Sequence, residues 1–499
     1  MGAGHSAGRR NSDADADAGA GSEDRLSALP DDVLVSILLK LRDAAAAART
    51  SILARRWRCL WPLLPELAFA DGIKHHRIVP ALAAHEALDL RDIQIATREA
   101  SVEYLAVWLP IAARRLSGSM YLKVVWHEGE AAEVRAALEP EQRGAILLPC
   151  FQRATSVVLE FSFLRLVLPP SGVFARLQIL MLVGILVYGQ CSLGDAVSSP
   201  RCPCLKVLFV QSARGLGSFR IHSRSLLQLQ LSDLRDMQQL TVVAPLLQFL
   251  RVRWCFTNVA CALNPSQPVA RISAPRLEKL EWMCDFVPSS VQLGEMPPHL
   301  RRLVAGIIMV YGPDCIAPHN RCCIGILQRF ERLSALRLCL AYPPVIGNHK
   351  YLMEDMTRLP DVDYLTLDVF SCGHSFGPSS FHVLRMCSRL TILKIRFSCQ
   401  LPAQTGCSSG CICDQPPNWK TEELGLIWLE EVQILNFAGT EHEVAFLKRL
   451  FSWATSLKRM MVTFHGSITE RKGKELQQLL LSFSRAEICI CILPCSAPS

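Results

Sequence analysis

No stretch of this chain is apolar for long enough to cross a bilayer. The longest candidate, around residues 177 to 188, is interrupted by Gln178 and Gly184 and falls well short of the about 20 residues a spanning helix needs. The N-terminal residues hold no run of about 7 to 15 apolar residues of the signal-peptide kind. No Asn-x-Ser/Thr site with a permitted middle residue occurs, and the 21 cysteines follow no regular disulfide framework. Together these absences predict a reducing, intracellular setting with free thiols, in the cytoplasm and/or nucleus. Lys/Arg blocks are missing too, and a net charge of +8 over 499 residues is mild, so no nucleic-acid partner is expected. A P-loop, a His-Glu-x-x-His zinc motif and a dinucleotide fingerprint are all absent, and no cofactor is expected.

What the chain does have is apolar residues, half of its composition, enough for a large core across roughly three domains. The stretch from Arg25 to Trp61 is the most ordered in pattern. Pro30 predicts a helix start, with Asp31 and Asp32 complementing the positive end of the dipole. Val33, Leu34, Ile37, Leu38 and Leu41 recur at three- and four-residue spacing and form one apolar face. Asp43 reads as the N-cap of a second helix running to Pro62, with Ala46, Thr50, Leu53, Trp57 and Leu60 on one side. Two amphipathic helices this short cannot bury enough surface alone, so a partner or the rest of the chain must complete their core.

Leu29-Pro30-Asp31-Asp32, the helix after it, Arg49-Thr50-Ser51, and Arg55-Arg56-Trp57-Arg58 before Trp61 resemble the F-box of plant F-box proteins. The resemblance implies docking on a Skp adaptor and, through it, a cullin–RING ubiquitin ligase. It implies adaptor contacts at Leu29, Pro30, Val33, Leu34, Ile37, Leu38, Leu53, Trp57 and Trp61, some of which must instead be internal core. The main departure is Ala54, where the family usually has Ser, and its effect on a helix is expected to be small.

Residues 1–22 are rich in Gly, Ala, Ser and Asp and predict a disordered tail. The first six residues fit the M-G-x-x-x-[ST] myristoylation pattern at Gly2, and Arg9-Arg10-Asn11-Ser12 resembles a basophilic kinase site. From Ala154 the unit L-x-x-L-x-L recurs: Leu177/Leu180/Leu182, Leu205/Leu208/Val210, Leu226/Leu229/Leu231, Leu247/Leu250/Val252 and Leu277/Leu280/Trp282. Leu300/Leu303, Leu333/Leu336/Leu338, Val362/Leu365/Leu367, Leu390/Leu393/Ile395 and Val432/Leu435/Phe437 continue it. Each unit predicts a short strand, and stacking them predicts a parallel-sheet solenoid. The pattern resembles leucine-rich repeats without their usual Asn ladder and with variable repeat length.

Outward positions of these strands are where a partner would be read. Ile179, Met181, Val207 and Phe209 make the early part apolar; Arg251, Arg253, Lys279, Arg302, Arg337, Lys394 and Arg396 make the later part basic. The expectation is a receptor groove suited to a protein segment with apolar and acidic or phosphorylated residues. Alternatively these positions are a solvated face, or the segment 70–150 covers the apolar ones. After Ile395 comes an insertion with Cys399, Cys407, Cys411 and Cys413; C-x7-C-x3-C-x-C is not a standard zinc spacing, so the segment reads as an exposed loop and no metal is expected.

From Trp419 the order resumes as strand, helix, strand, with Phe446, Leu447, Leu450, Phe451 and Ala454 on the helix's apolar face, then a helix from Glu470 to Phe483 and a strand from Ala486 to Leu493. This block resembles the FBD domain that closes many plant F-box proteins of the leucine-rich class. Gly373-His374-Ser375-Phe376-Gly377 fits G-x-S-x-G, with Asp414 and His442 or His465 available downstream, but glycine-rich strand–loop–helix turns are ordinary in a solenoid, and no enzyme is expected.

The sequence therefore predicts an α/β chain: a tail at 1–22, a helical F-box at 23–69, a linker and solenoid N-terminal cap at 70–150, an irregular leucine-rich-repeat solenoid at 151–400, a Cys/Gly/Pro loop at 401–418 and an α/β FBD-type cap at 419–499. The implied role is a non-catalytic substrate receptor of a Skp–cullin–F-box ubiquitin ligase that binds a protein target. The alternative is a non-ligase scaffold that uses the repeats alone.

Overall fold

The computed structural model describes residues 29–69, 75–87, 89–98, 102–125, 144–234, 237–256, 269–284, 291–294, 300–397, 407, 410–415 and 417–493. The myristoylation and kinase patterns, the tail and Cys399 lie outside the described residues.

Three short helices open the described chain: α1 (Asp31–Lys40), α2 (Ala44–Arg49) and α3 (Arg55–Leu60). Pro30 is the N-cap of α1 rather than its first helical residue, with extended backbone, and its carbonyl accepts from Leu34 N at 3.1 Å. Asp43 caps α2 as expected, its carboxylate accepting from Ala45 N at 3.0 Å. The single second helix does not form. Thr50 turns its hydroxyl back onto the Ala47 carbonyl at 2.6 Å, a 3₁₀ turn covers Thr50–Ile52, and Ala54 is fully extended before α3 begins. Competition of this kind between side chain and backbone favours helix ends over interiors.

The rest of the described chain is organised by one 17-stranded parallel sheet. It starts at Glu66–Phe69, runs through Leu90–Arg98, Leu116–Val125 and Ser156–Val167, and continues strand by strand to Cys489–Leu493. The alternation is clean in the middle strands: Leu208 and Val210, Leu229 and Leu231, and Leu250 and Val252 are fully buried, while the residues between them are not. In this middle stretch a second parallel sheet of Ser218–His222, Gln239–Val243, Val269–Ser273 and Val291–Leu293 replaces helices behind the first. Phe219, Ile221, Leu240 and Val242 from it join the same apolar core as the leucines.

Several expectations change. Strands in register with the repeats begin well before Ala154, because Ile93, Ile95, Met120 and Leu122 supply the inward positions with Ile and Met in place of Leu. Within 70–150 the strands Leu90–Arg98, Leu116–Val125 and Ala145–Leu147 thus lengthen the sheet. The copy read as Val432/Leu435/Phe437 is framed three residues late: Leu429, Val432 and Ile434 are the buried triplet, and Leu435 falls at a bulge where Asn436 has φ 61°. The strands Glu431–Phe437, Arg459–Phe464 and Cys489–Leu493 pair in parallel with one another and with Ile392–Phe397, so they extend the sheet. The helix Glu470–Phe483 forms as expected, and Glu441–Trp453 is held by a capping box between Thr440 and Glu443.

Candidate functional site

The three helices have a core of their own, made of Leu34, Leu38, Ala47, Trp57, Leu60 and Leu64 and separate from that of the sheet. Arg56 binds α3 to the start of α1: its Nη2 lies 2.6 Å from the Leu29 carbonyl and 2.5 Å from Asp31 Oδ1. Of the nine residues expected to face an adaptor, Leu34, Leu38 and Trp57 are therefore interior, and Leu29, Ile37 and Trp61 are half-buried around them. Pro30, Val33 and Leu53 are exposed. The break before α3 exposes Leu53, which a continuous helix would have placed on the face of Trp57 and Leu60: Leu53 is 70% exposed beside Ile52 at 84%. Both belong to the turn that joins α2 to α3. Isolated apolar side chains at the surface are ordinary, but adjacent large ones on a module this small are not.

The outward side of the sheet is built by cross-strand rows. Val158, Met181 and Phe209 are successive partners in one row, and Ile179 and Val207 are partners in the row beside it, so the early apolar residues do converge. Four of the later basic residues, Arg251, Lys279, Arg337 and Arg396, meet acids. Glu281 accepts from Arg251 Nε and lies 2.6 Å from Lys279 Nζ. Burial opposes its ionisation, yet the hydrogen bonds from Arg251 and Lys279 outweigh that and hold its pKa below the ordinary carboxylate value. Asp368, almost fully buried, pairs with Arg337 Nε at 2.5 Å, and Arg396 Nε stands 3.8 Å from its other oxygen. Arg253 stacks over the exposed Trp254 at 3.9 Å, and Lys279 also sits over Phe249 at 4.5 Å. Arg302 is exposed and Lys394 half-buried. The basic stretch is thus a mixed-charge network, and Glu281 and Asp368 are the members the sequence reading missed; their place opposite Arg251 and beside Arg396 is set by strand register.

A third constellation lies where the strand Asp361–Phe370 turns into the helix Gly377–Arg385. Ser375, the central residue of G-x-S-x-G, is buried and donates its hydroxyl to Asp414 Oδ1 at 2.9 Å. Asp414 also accepts from Trp419 Nε1 at 3.1 Å and from Lys420. A serine that spends its proton on a carboxylate already engaged by an indole and an ammonium is a structural group, whereas a nucleophile hydrogen-bonds a base. The neighbouring His374 points its Nδ1 at Cys411 Sγ, 3.5 Å away, while Cys407 and Cys413 stand 3.6 Å apart. The four ligand atoms of His374, Cys407, Cys411 and Cys413 lie within 4.8 Å of one another. The cysteine spacing gave no sign of this because the fourth group comes from another loop.

Against known proteins, residues 137–297 match the family model described as FBD-associated F-box protein At5g56370, LRR repeats. An Arabidopsis thaliana protein named as an F-box/FBD/LRR-repeat protein, At4g03220, is 26% identical over 331 residues, 65% of this chain and 62% of the relative. Two further Arabidopsis thaliana relatives carry the same kind of name: At3g49030 is 27% identical over 46% of this chain and 47% of its own length, and At2g04230 is 24% identical over 49% and 56%. The alignments therefore span about half to three-fifths of these relatives. Among the described residues no helix is long and apolar enough to cross a membrane.

Proposed function

The chain being a plant protein of the F-box/leucine-rich-repeat/FBD class, we propose that it is the substrate-recognition subunit of a Skp–cullin–F-box ubiquitin ligase, with helices α1 to α3 docking the Skp adaptor and the sheet's outward face binding the protein to be ubiquitylated. The observation that carries the reading is the separate small core of the helical module, which leaves the adjacent Ile52 and Leu53 in solvent. A partner that covers them would complete a core too small to stand alone. Catalysis in this reading is positional, performed by other subunits on a lysine the receptor presents. The target segment would meet apolar Ile179, Met181, Val207 and Phe209 first and the Glu281- and Asp368-centred network further along, so it would have to offer both apolar and hydrogen-bonding groups.

Co-purification with a plant Skp adaptor tests this. An Ile52→Asp/Leu53→Asp variant, altered only at exposed positions, should keep its circular dichroism spectrum and lose adaptor affinity by about tenfold or more, or about 1.4 kcal/mol. If the folded natural chain does not bind the adaptor, or if the double variant binds equally well, the docking assignment is wrong and the repeats act as a scaffold without the ligase.

A further inference from the structure

We propose that His374, Cys407, Cys411 and Cys413 form a closed tetrahedral zinc site that fastens the segment 407–420 onto the turn between the strand Asp361–Phe370 and the helix Gly377–Arg385. Zinc–sulfur bonds of about 2.3 Å and zinc–nitrogen bonds of about 2.0 Å give a tetrahedron with edges of about 3.8 Å between sulfurs and about 3.5 Å between sulfur and nitrogen. The structure has Cys407 Sγ to Cys413 Sγ at 3.6 Å and Cys411 Sγ to His374 Nδ1 at 3.5 Å. Both edges match a single small ion, and all four atoms fall within 4.8 Å of one another.

The surroundings are those of a ligand set. His374 turns its other nitrogen, Nε2, to the Pro344 carbonyl at 3.3 Å, which fixes the tautomer that leaves Nδ1 bare for a metal. The Ser375 backbone N–H points at Cys413 Sγ from 3.3 Å, and His442 Nε2 lies 4.0 Å from Cys407 Sγ, so two of the sulfurs already face a nitrogen that can donate to a thiolate. His374 and Cys413 are buried, Cys407 and Cys411 half-buried. The turn carrying His374 is set by positive-φ residues, Cys372 at 47° and Gly373 at 83°, and is closed by His374 N on the Ser371 carbonyl at 2.9 Å. On the other side, Tyr311 donates its hydroxyl to the Ile412 carbonyl at 3.1 Å. Three sulfurs and one imidazole leave no open position, which makes the site structural and not catalytic. Binding exchanges three thiol protons for one dication and leaves a centre of net charge −1.

The test uses the full chain, expressed in zinc-supplemented medium and purified without chelator, with metal measured by inductively coupled plasma mass spectrometry. One zinc per chain is expected, falling to background in Cys411→Ser and in His374→Ala but retained in Cys489→Ser, which alters an exposed cysteine outside the cluster. Should the ligand variants fail to fold, the natural chain loaded with Co²⁺ decides: a thiolate-to-cobalt charge-transfer band with intense tetrahedral ligand-field bands supports the site. Absence of zinc, zinc retained in folded Cys411→Ser, a six-coordinate cobalt spectrum, or a Cys407–Cys413 disulfide in protein kept under nitrogen would each overturn it.

Discussion

Arg115 Nη2 lies 2.9 Å from Nδ1 of the buried His85. A guanidinium only donates, so Nδ1 accepts, and the imidazole proton sits on Nε2 and goes to the Leu64 carbonyl 2.6 Å away. Arg115 also donates to the carbonyls of Leu82 and Ala87, and Ala87 N in turn donates to the Pro62 carbonyl. One neutral histidine thus joins the exit of the helical module to the start of the sheet.

That pairing sets a pH dependence. Burial depresses the pKa of His85 below its ordinary value, the Leu64 carbonyl opposes this, and the charge of Arg115 adds to the depression. The unfolded chain therefore takes up the proton first as pH falls, so the contribution is full above about pH 6.5 and is lost below it as pH falls through the folded pKa. Melting temperature measured from about pH 7.5 to about pH 5.5 should fall more steeply in the natural chain than in His85→Gln. Parallel curves would count against a neutral His85.

Ala54 is the N-cap of α3, not a position within a helix, and offers no side-chain acceptor. Ala54→Ser should raise stability by about 1 kcal/mol, read as a higher urea midpoint at unchanged slope, and Ala54→Gly should come within a few tenths of that gain. No gain on Ser would mean that the first N–H groups of α3 are already satisfied.

Arg337 and Arg302 were grouped as equivalent basic positions, yet only Arg337 neutralises a buried acid, Asp368. Arg337→Ala should cost about 1–3 kcal/mol by leaving that carboxylate short of a partner, and Asp368→Asn in the same chain should recover part of it. Arg302→Ala should stay within about 0.5 kcal/mol. Equal losses in the two single variants would show that the buried pairing does not matter.

Gly377 touches the Trp419 ring so closely that an added Cβ would come within 2.4 Å of it. Gly377→Ala should cost about 1–3 kcal/mol through overpacking and should speed proteolysis within 411–420, since Trp419 and Asp414 are what hold that segment to Ser375. Unchanged cleavage would contradict this.

Ser375 should remain unlabelled by a fluorophosphonate probe in folded protein, because its hydroxyl is buried against Asp414. Stoichiometric labelling would reopen the hydrolase reading.

Much of the fold was legible because a strand buried on one face writes a period of two into its residues, and the L-x-x-L-x-L copies from Leu177 to Ile395 all landed on buried positions. Reading failed where the same geometry used other residues. Ile93, Ile95, Met120 and Leu122 occupy inward positions in strands that were not read as repeats, and a bulge at Asn436 shifted the frame of Leu435. In the helical module, the amphipathic pattern argued for continuity through Ser51 to Ala54; the backbone instead turns there, which is why Leu53 is exposed and not on the face of Trp57.

By itself the sequence determined the class of fold, the period of the sheet, the Asp43 cap and the order of motifs that resembles an F-box, since each is written in residues close together along the chain. Tertiary structure alone decided which acid answers each arginine, Glu281 for Arg251 and Asp368 for Arg337, and that His374 meets Cys407, Cys411 and Cys413 across an intervening strand. The physical reason is the same in both cases: strand register and loop packing bring together side chains whose separation along the chain carries no period, so no local pattern can announce them.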